Sequence, residues 1–129
     1  MKTMKPRIVA YKPLPDDVLA YLREHADVVQ ADGPAALADA LGDAHGAIGA
    51  SLKVTPQMLD RAPRLKAWST ISVGYDNFDV ADLTRRGIVL AHTPDVLTES
   101  TADTVFSLIL ASARRVVELA EWVKAGHWH

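Results

Sequence analysis

The chain has 129 residues, enough for one domain with a single hydrophobic core; 49% of them are hydrophobic and 23% are charged. The net charge is −2 with both signs mixed along the sequence, so we expect neither a nucleic-acid partner nor an anionic membrane surface. There is no cysteine, which excludes disulfides and thiolate chemistry and leads us to expect a cytoplasmic protein. No apolar run approaches the roughly 20 residues of a membrane-spanning helix.

Residues 7–91 alternate short apolar runs with amphipathic segments, which is typical of βα units around a parallel sheet covered on both faces. The predicted strands are 7–11, 27–30, 47–49, 67–71 and 88–91. Predicted helices follow Pro15 and Pro34, and a third begins at Thr55-Pro56, where threonine suits the N-cap and proline the first helical position. A short helix is predicted over 79–86 and ends at Gly87.

Residues 99–126 predict one long helix, about 35 Å in length at about 1.5 Å per residue. Ser100 and Asp103 have the spacing of an N-terminal capping pair, and Gly126 suits the C-terminal end. A helix this long exceeds what a small sheet needs for cover. One face of it, apolar except for Ser112, recurs at three- and four-residue steps: Val105, Leu108, Ile109, Ser112, Val116, Leu119, Ala120 and Val123.

Two segments carry candidate chemistry. In residues 69–79 an apolar strand stops at Gly74, and ligands of open parallel sheets bind where strands end. The main-chain N–H groups of Val73 and Gly74 could hold a carboxylate there; alternatively the segment is a plain turn capped by Asp76 and Asn77. In residues 91–103, hydroxyl side chains precede a helix, which suits either an anion or simple helix capping.

The remaining glycines and the histidines do not predict a nucleotide, catalytic or metal site. Gly42, Gly46 and Gly49 lack the G-x-G spacing of a dinucleotide-binding turn, so they are interpreted as turn and strand glycines. None of the five histidines has an orienting carboxylate evident from the sequence. His127 and His129 flank Trp128, but no metal site is assigned to them.

Taken together and in this order, these segments resemble D-2-hydroxyacid dehydrogenases, and most of all their glyoxylate, hydroxypyruvate and 2-ketogluconate reductase branch. The resemblance is carried by residues 71–79, 87–88, 93–99, 101–103 and 113–115. It implies an α/β, flavodoxin-like three-layer sandwich with a five-stranded parallel sheet in the order 2-1-3-4-5 and a long C-terminal helix. Residues 1–98 would form the substrate-binding (catalytic) domain and 99–126 the interdomain helix, with the nucleotide-binding Rossmann domain absent.

The resemblance also implies the roles of particular residues. The Val73 and Gly74 amides would hold the carboxylate of a small 2-oxo or 2-hydroxy acid, with Ser72 adjacent. Leu52 and Lys53 would line the same cleft. Thr101 would face the nicotinamide end of the cofactor.

The family's acid–base histidine, its glutamate partner and its polarising arginine correspond to nothing in this sequence, so no catalytic residue is expected here. NAD or NADP would serve the complete enzyme, an oxidoreductase acting on a CH–OH group. This chain alone is expected to be inactive and to bind no cofactor tightly.

The apolar face of the last helix is expected to fold back onto its own sheet or to pair with a second copy, giving a homodimer. A stand-alone flavodoxin-like binding or regulatory domain is the alternative reading of the whole chain. It is weakened because Tyr11-Lys12 occupies the strand end where a receiver domain needs acidic residues.

Overall fold

The computed structural model describes residues 5–128. The chain divides into two compact units, Met1–Pro94 and Asp95–His129, and each is described by itself. Within residues 5–128, no helix is both long enough and apolar enough to cross a bilayer.

The first unit is a five-stranded parallel sheet with helices on both sides. Its strands are β1 (Arg7–Ala10), β2 (Asp27–Gln30), β3 (Gly46–Gly49), β4 (Ala67–Thr70) and β5 (Val89–Ala91). Its helices are α1 (Asp16–His25), α2 (Pro34–Leu41), α3 (Pro56–Asp60) and α4 (Val80–Arg85). The order β2-β1-β3-β4-β5 confirms the predicted fold class and topology.

Local sequence signals set the helix starts. The Thr55 hydroxyl accepts the Met58 N–H at 3.4 Å, and α3 then begins with Pro56, as predicted. The carboxylate of Asp79 accepts the Asp82 N–H at 2.9 Å and caps α4. The helix is therefore capped by Asp79, and the alternative that Asp76 and Asn77 are the caps is wrong.

The hydrophobic core is centred on Trp68 of β4, whose side chain is fully buried. Its ring packs edge-to-face against Tyr11 and Phe78, with centroid separations of 5.7 and 6.0 Å. The indole N–H donates to the Tyr11 hydroxyl at 3.0 Å, so the polar end of the tryptophan is satisfied inside the core. Leu37 and Leu41 of α2 complete this cluster from one helix.

The second unit contains two helices, α5 (Thr98–Ala113) and α6 (Val116–Lys124). The prediction of one continuous helix over 99–126 is wrong, because Arg115 adopts a left-handed conformation (φ 51°, ψ 38°) that interrupts the helical path. The side chain of Arg115 pairs with Glu118 in the first turn of α6. Neither helix contains a buried residue.

The N-terminal end of α5 also differs from the prediction. The helix begins at Thr98 after Leu97, and no side chain caps it. Ser100 lies inside the first turn, where its hydroxyl donates back to the Leu97 carbonyl at 3.2 Å. The predicted capping role of Ser100 is therefore wrong, because the helix starts before that residue.

Candidate functional site

The loops after β3 and β4 leave the sheet at the same edge. The two strands are parallel neighbours, with Gly49 opposite Thr70, so their carboxyl ends lie side by side. The Val54 N–H donates to the Asn77 carbonyl at 3.0 Å and ties the two loops together. The structure therefore brings the loop carrying Leu52 and Lys53 to the edge that also carries residues 72–74.

Three consecutive carbonyls in the β4 loop are all hydrogen-bonded. The Ser72 carbonyl accepts the Thr93 N–H at 3.0 Å, and the Val73 carbonyl contacts His92 Nδ1 at 2.9 Å. The Gly74 carbonyl accepts the Ser72 hydroxyl at 2.9 Å. These bonds fix the orientation of the successive peptide groups.

Two N–H groups of the same loop have no acceptor among the described residues. Within residues 5–128, neither the Val73 N–H nor the Gly74 N–H donates to a protein acceptor, and both residues are exposed. We call these two groups the amide pair. Main-chain N–H groups without a protein acceptor at the carboxyl edge of a parallel sheet can donate hydrogen bonds to an anion, because each otherwise needs water or a ligand as its acceptor.

Ser72 supports the loop. Its single hydroxyl hydrogen goes to the Gly74 carbonyl, so in the 2.7 Å contact with the Thr70 hydroxyl it is Thr70 that donates. Thr70 is only 2% exposed, which anchors this chain of hydrogen bonds in the interior. The hydroxyl hydrogen of Ser72 is therefore already used within the loop, and a contact of Ser72 with substrate stays a prediction.

One carboxylate flanks the amide pair. A Cβ placed on Gly74 would lie 3.1 Å from Oδ2 of Asp76. A glycine at position 74 leaves this space open, and the nearby negative charge of Asp76 opposes the binding of another anion.

Leu52 and Lys53 have different surroundings. Leu52 is half-buried and lines a pocket of about 170 Å³ together with Tyr11, Lys12 and Leu37, at the carboxyl ends of β1 and β3. Burial raises the pKa of Tyr11, partly offset by the hydrogen bond from Trp68, so the phenol in this pocket stays neutral. Lys53 is exposed and outside the pocket lining.

Two larger hollows lie at the opposite ends of the strands. One, of about 400 Å³, is lined by Arg7, Asp27 and His45, at or just before the starts of β1, β2 and β3. The other, of about 340 Å³, includes Lys66 and Ile88, which directly precede β4 and β5. Ligands of open parallel sheets bind at the carboxyl ends, so size alone does not make either hollow the functional site.

Thr101 belongs to the second unit, in the first turn of α5. Its N–H donates to the Leu97 carbonyl at 2.9 Å and is therefore used within the helix. Its side chain is exposed, and its hydroxyl makes no hydrogen bond to any residue in the range 5–128. Its predicted contact with a cofactor stays a prediction.

His92 contacts the β4 loop although no motif in the sequence predicts a role for it. This exposed residue follows β5, and its ring packs edge-to-face on Tyr75 with centroids 5.1 Å apart while Nδ1 contacts the Val73 carbonyl. No carboxylate partner marks it in the sequence. The available signal was its position at the end of the strand that neighbours β4.

The metal-ligating side chains and the turn after β1 were the two features that could bear on cofactor binding. Among residues 5–128, no group of three or more acidic or histidine side chains could hold a metal ion, and His129 lies outside this range. The turn after β1 does not fit a dinucleotide phosphate, because Pro13 and Pro15 have no N–H to donate and Tyr11 gives its N–H to the Ile48 carbonyl. A nicotinamide cofactor therefore finds no phosphate cradle in this turn.

A five-stranded parallel sheet with helices on both sides defines an α/β domain. The sequence profile of the D-isomer specific 2-hydroxyacid dehydrogenase catalytic domain matches residues 8–126. The chain belongs to this family, and it corresponds to the N-terminal, substrate-binding part of such a dehydrogenase. This match sets aside the alternative of an unrelated regulatory domain.

Individual relatives agree with this assignment. Glyoxylate/hydroxypyruvate reductase B of Klebsiella pneumoniae subsp. pneumoniae is 52% identical over 130 residues, and that of Yersinia enterocolitica is 55% identical. Both alignments cover 97% of this chain and 40% of the relative, so the chain spans about 40% of the length of these curated relatives.

Solved structures share the fold. The PH0520 protein from Pyrococcus horikoshii superposes with a TM-score of 0.84 at 29% identity, covering 98% of this chain and 39% of that one. The NADPH-dependent glyoxylate/hydroxypyruvate reductase from Sinorhizobium meliloti, in complex with NADP and malonate, gives a TM-score of 0.74 at 35% identity. That match covers 96% of this chain and 39% of the reductase.

Proposed function

We propose that this chain binds the carboxylate of a small 2-oxo or 2-hydroxy acid through the amide pair, as the substrate-binding part of an NAD(P)-dependent reductase. The substrates in view are glyoxylate, hydroxypyruvate and 2-ketogluconate. One observation carries the proposal: the carbonyls of residues 72–74 are all hydrogen-bonded, while the exposed N–H groups of Val73 and Gly74 have no acceptor within residues 5–128. Ser72 holds this loop, and Leu52 and Lys53 would contact the remainder of the substrate.

In the complete enzyme, NAD(P)H and a proton would convert a 2-oxo acid into a 2-hydroxy acid and NAD(P)⁺, with Thr101 facing the nicotinamide. This role is supported by the names of the relatives and by the NADP complex of the Sinorhizobium reductase. The present chain contributes orientation of the acid, and hydride transfer requires a nucleotide-binding domain beyond it. Without cysteines, the protein suits the cytoplasm.

Amide-resolved NMR tests carboxylate binding directly. Glycolate added to the chain at constant ionic strength should shift the Val73 and Gly74 N–H signals in a saturable way. Ethylene glycol is the matched neutral probe, because it replaces the carboxylate by a second hydroxymethyl group, and it should shift neither signal. Equal responses to both compounds, or glycolate shifts confined to other residues, would refute the proposed site.

A parallel titration tests the proposal that the cofactor binds to a domain other than this one. NADPH should leave the spectrum of this chain unchanged, because the turn after β1 offers no phosphate cradle. Saturable NADPH binding to the chain alone would contradict the assignment of the cofactor to another domain.

We also propose that the second unit pairs with a second copy of the chain. In α5, Val105, Leu108 and Ile109 form an exposed apolar groove with Ser112, and no α5 residue is buried within the chain. An isologous dimer would cover the same face on both copies.

Sedimentation velocity tests this pairing. The unmodified chain should sediment as a dimer, and Ile109→Glu should convert it to a monomer by placing a charge in the groove. Ser107→Glu is the matched control, because position 107 lies on the opposite face of α5 and should leave the dimer intact. A monomeric unmodified chain would end the proposal.

A further inference from the structure

We propose that His92 is a positioning residue of the amide pair: its Nδ1–H bond to the Val73 carbonyl aligns and polarises the Gly74 N–H that binds the carboxylate. This inference rests on the proposed function, since the alignment matters only if an anion binds there. Neither the sequence patterns nor the family comparison assigns this residue a role.

The contact between His92 and the Val73 carbonyl determines which ring nitrogen carries the hydrogen. A carbonyl oxygen only accepts, so in the 2.9 Å contact with the Val73 carbonyl the Nδ1 atom of His92 must carry the hydrogen. This assigns the neutral ring to the Nδ1–H tautomer from its partner, and leaves Nε2 as the unprotonated nitrogen.

One rigid group links His92 to the binding amide. The Val73 carbonyl and the Gly74 N–H belong to the same planar peptide, so holding the oxygen fixes the direction of the hydrogen on the other side. Donation to the carbonyl also strengthens the partial positive charge on that N–H, because hydrogen bonds in a chain polarise one another. The histidine therefore acts on the carboxylate through the peptide, without touching it.

Neighbouring residues fix the position of the His92 ring and of the loop that it contacts. Tyr75 packs against it with an interplanar angle of 73°. The next residue, Thr93, donates its N–H to the Ser72 carbonyl at 3.0 Å, so consecutive residues after β5 hold consecutive carbonyls after β4. The arrangement restrains the β4 loop from the neighbouring strand, and Asp76 supplies the opposing charge beside Gly74.

Three substitutions of His92 distinguish the effect of its hydrogen-bond donor from the effect of its ring packing. H92N places an amide nitrogen at the same bond count from the backbone as Nδ1 and can keep the donor. H92F keeps the ring against Tyr75 and removes the donor, while H92Q extends the amide beyond the Nδ1 position. His25 provides the matched control H25F, because it packs on Tyr21 with similar geometry, at 5.0 Å and 65°, far from the β4 loop in sequence and on α1.

The readouts are the ¹⁵N shifts of the His92 ring, which report the tautomer, and the glycolate dissociation constant from the Gly74 amide signal. We expect the Nδ1–H form in the unmodified chain. Loss of one hydrogen bond should weaken glycolate binding about fivefold in H92F, with recovery in H92N and no recovery in H92Q. H25F should bind as the unmodified chain does.

The two proposals fail differently. If glycolate does not perturb the amide pair of the unmodified chain, the proposed function is refuted and the inference falls with it. If glycolate binds but H92F binds equally well, or the ring carries its hydrogen on Nε2 alone, the role of His92 is refuted and the proposed function stands. Unfolding midpoints of all variants, measured beforehand, identify any loss of binding that comes from misfolding.

Discussion

Gly49 offers a sharp test of how the sheet is packed, because the structure leaves no room for a side chain there. It is the last residue of β3, and a Cβ on it would lie 2.5 to 2.7 Å from three ring carbons of Tyr11. The ring cannot easily withdraw. Its hydroxyl is hydrogen-bonded to the indole N–H of Trp68, and its edge packs against the same tryptophan.

Gly49→Ala should therefore destabilise the protein by overpacking. Contacts below 3 Å require the ring to shift by about half an ångström or more, and overpacked cores lose typically ~1–3 kcal/mol. Displacing Tyr11 also weakens a buried hydrogen bond worth about 1 kcal/mol. We expect the unfolding free energy to fall by about 2–3 kcal/mol.

Urea denaturation monitored by tryptophan fluorescence and far-UV circular dichroism measures this change. With a slope of roughly 2 kcal/mol per M urea, the midpoint should fall by about 1 M or more. Gly46→Ala is the control on the same strand, because a Cβ there meets its nearest atom, Cγ1 of Ile8, at an ordinary 3.5 Å. Gly46→Ala should shift the midpoint by far less.

A double-mutant cycle isolates the cause. If the clash with the ring is responsible, Gly49→Ala should cost little in a Tyr11→Ala background, giving a coupling energy of about 1 kcal/mol or more. Equal midpoints for the two glycine variants, or additive effects in the cycle, would refute the packing argument.

Three further predictions concern charge and backbone conformation. The hydrogen bond from Arg86 holds the pKa of Asp82 below its usual 3.8, so the stabilisation is present above that pH and is lost as pH falls through the lower folded value. D82N should therefore lower the unfolding midpoint at pH 7, and its effect should shrink as the pH is lowered below 3.8. D76N should tighten glycolate binding about threefold by removing the charge beside Gly74. Arg115→Gly should raise the melting temperature by roughly 2–4 °C, since glycine tolerates the left-handed conformation.

Each of these has its own control. D32N changes an exposed carboxylate with no ion pair in residues 5–128, and a pH profile equal to that of D82N would contradict the role of Arg86. If D76N binds glycolate with the same affinity as the unmodified chain, the carboxylate of Asp76 points away from the amide pair in solution. Arg114 has negative φ, so R114G should destabilise where R115G does not, and equal effects would refute the strain argument.

The fold was predictable because its signals are local and repeated. The prolines at 34 and 56 mark two helix starts, and the five predicted strands match the observed ones to within one residue at each end. Such patterns depend on burial and on the missing N–H of proline, both of which are encoded near the residues concerned. The strand order followed from the family resemblance and was confirmed.

The break between α5 and α6 was not predictable from the same signals. Left-handed residues are usually glycine or asparagine, and here an arginine adopts that conformation with neither glycine nor proline nearby. The apolar repeat at three- and four-residue steps continues across 112–119, so the pattern alone favours one helix. Periodicity shows which face of a helix is apolar, but it does not reveal a single residue that changes the direction of the backbone.

The sequence singles out the two amides of the proposed site, and it gives no indication of the residues that hold their loop. Val73 and Gly74 could be singled out because a glycine in the loop after a strand leaves the main chain accessible whatever the other side chains are. The groups that orient those amides come from elsewhere: Thr93 and His92 are separated from the loop by α4 and β5, and join it only because β5 pairs with β4. A substitution in the β5 exit should therefore alter anion binding as strongly as one beside the amide pair.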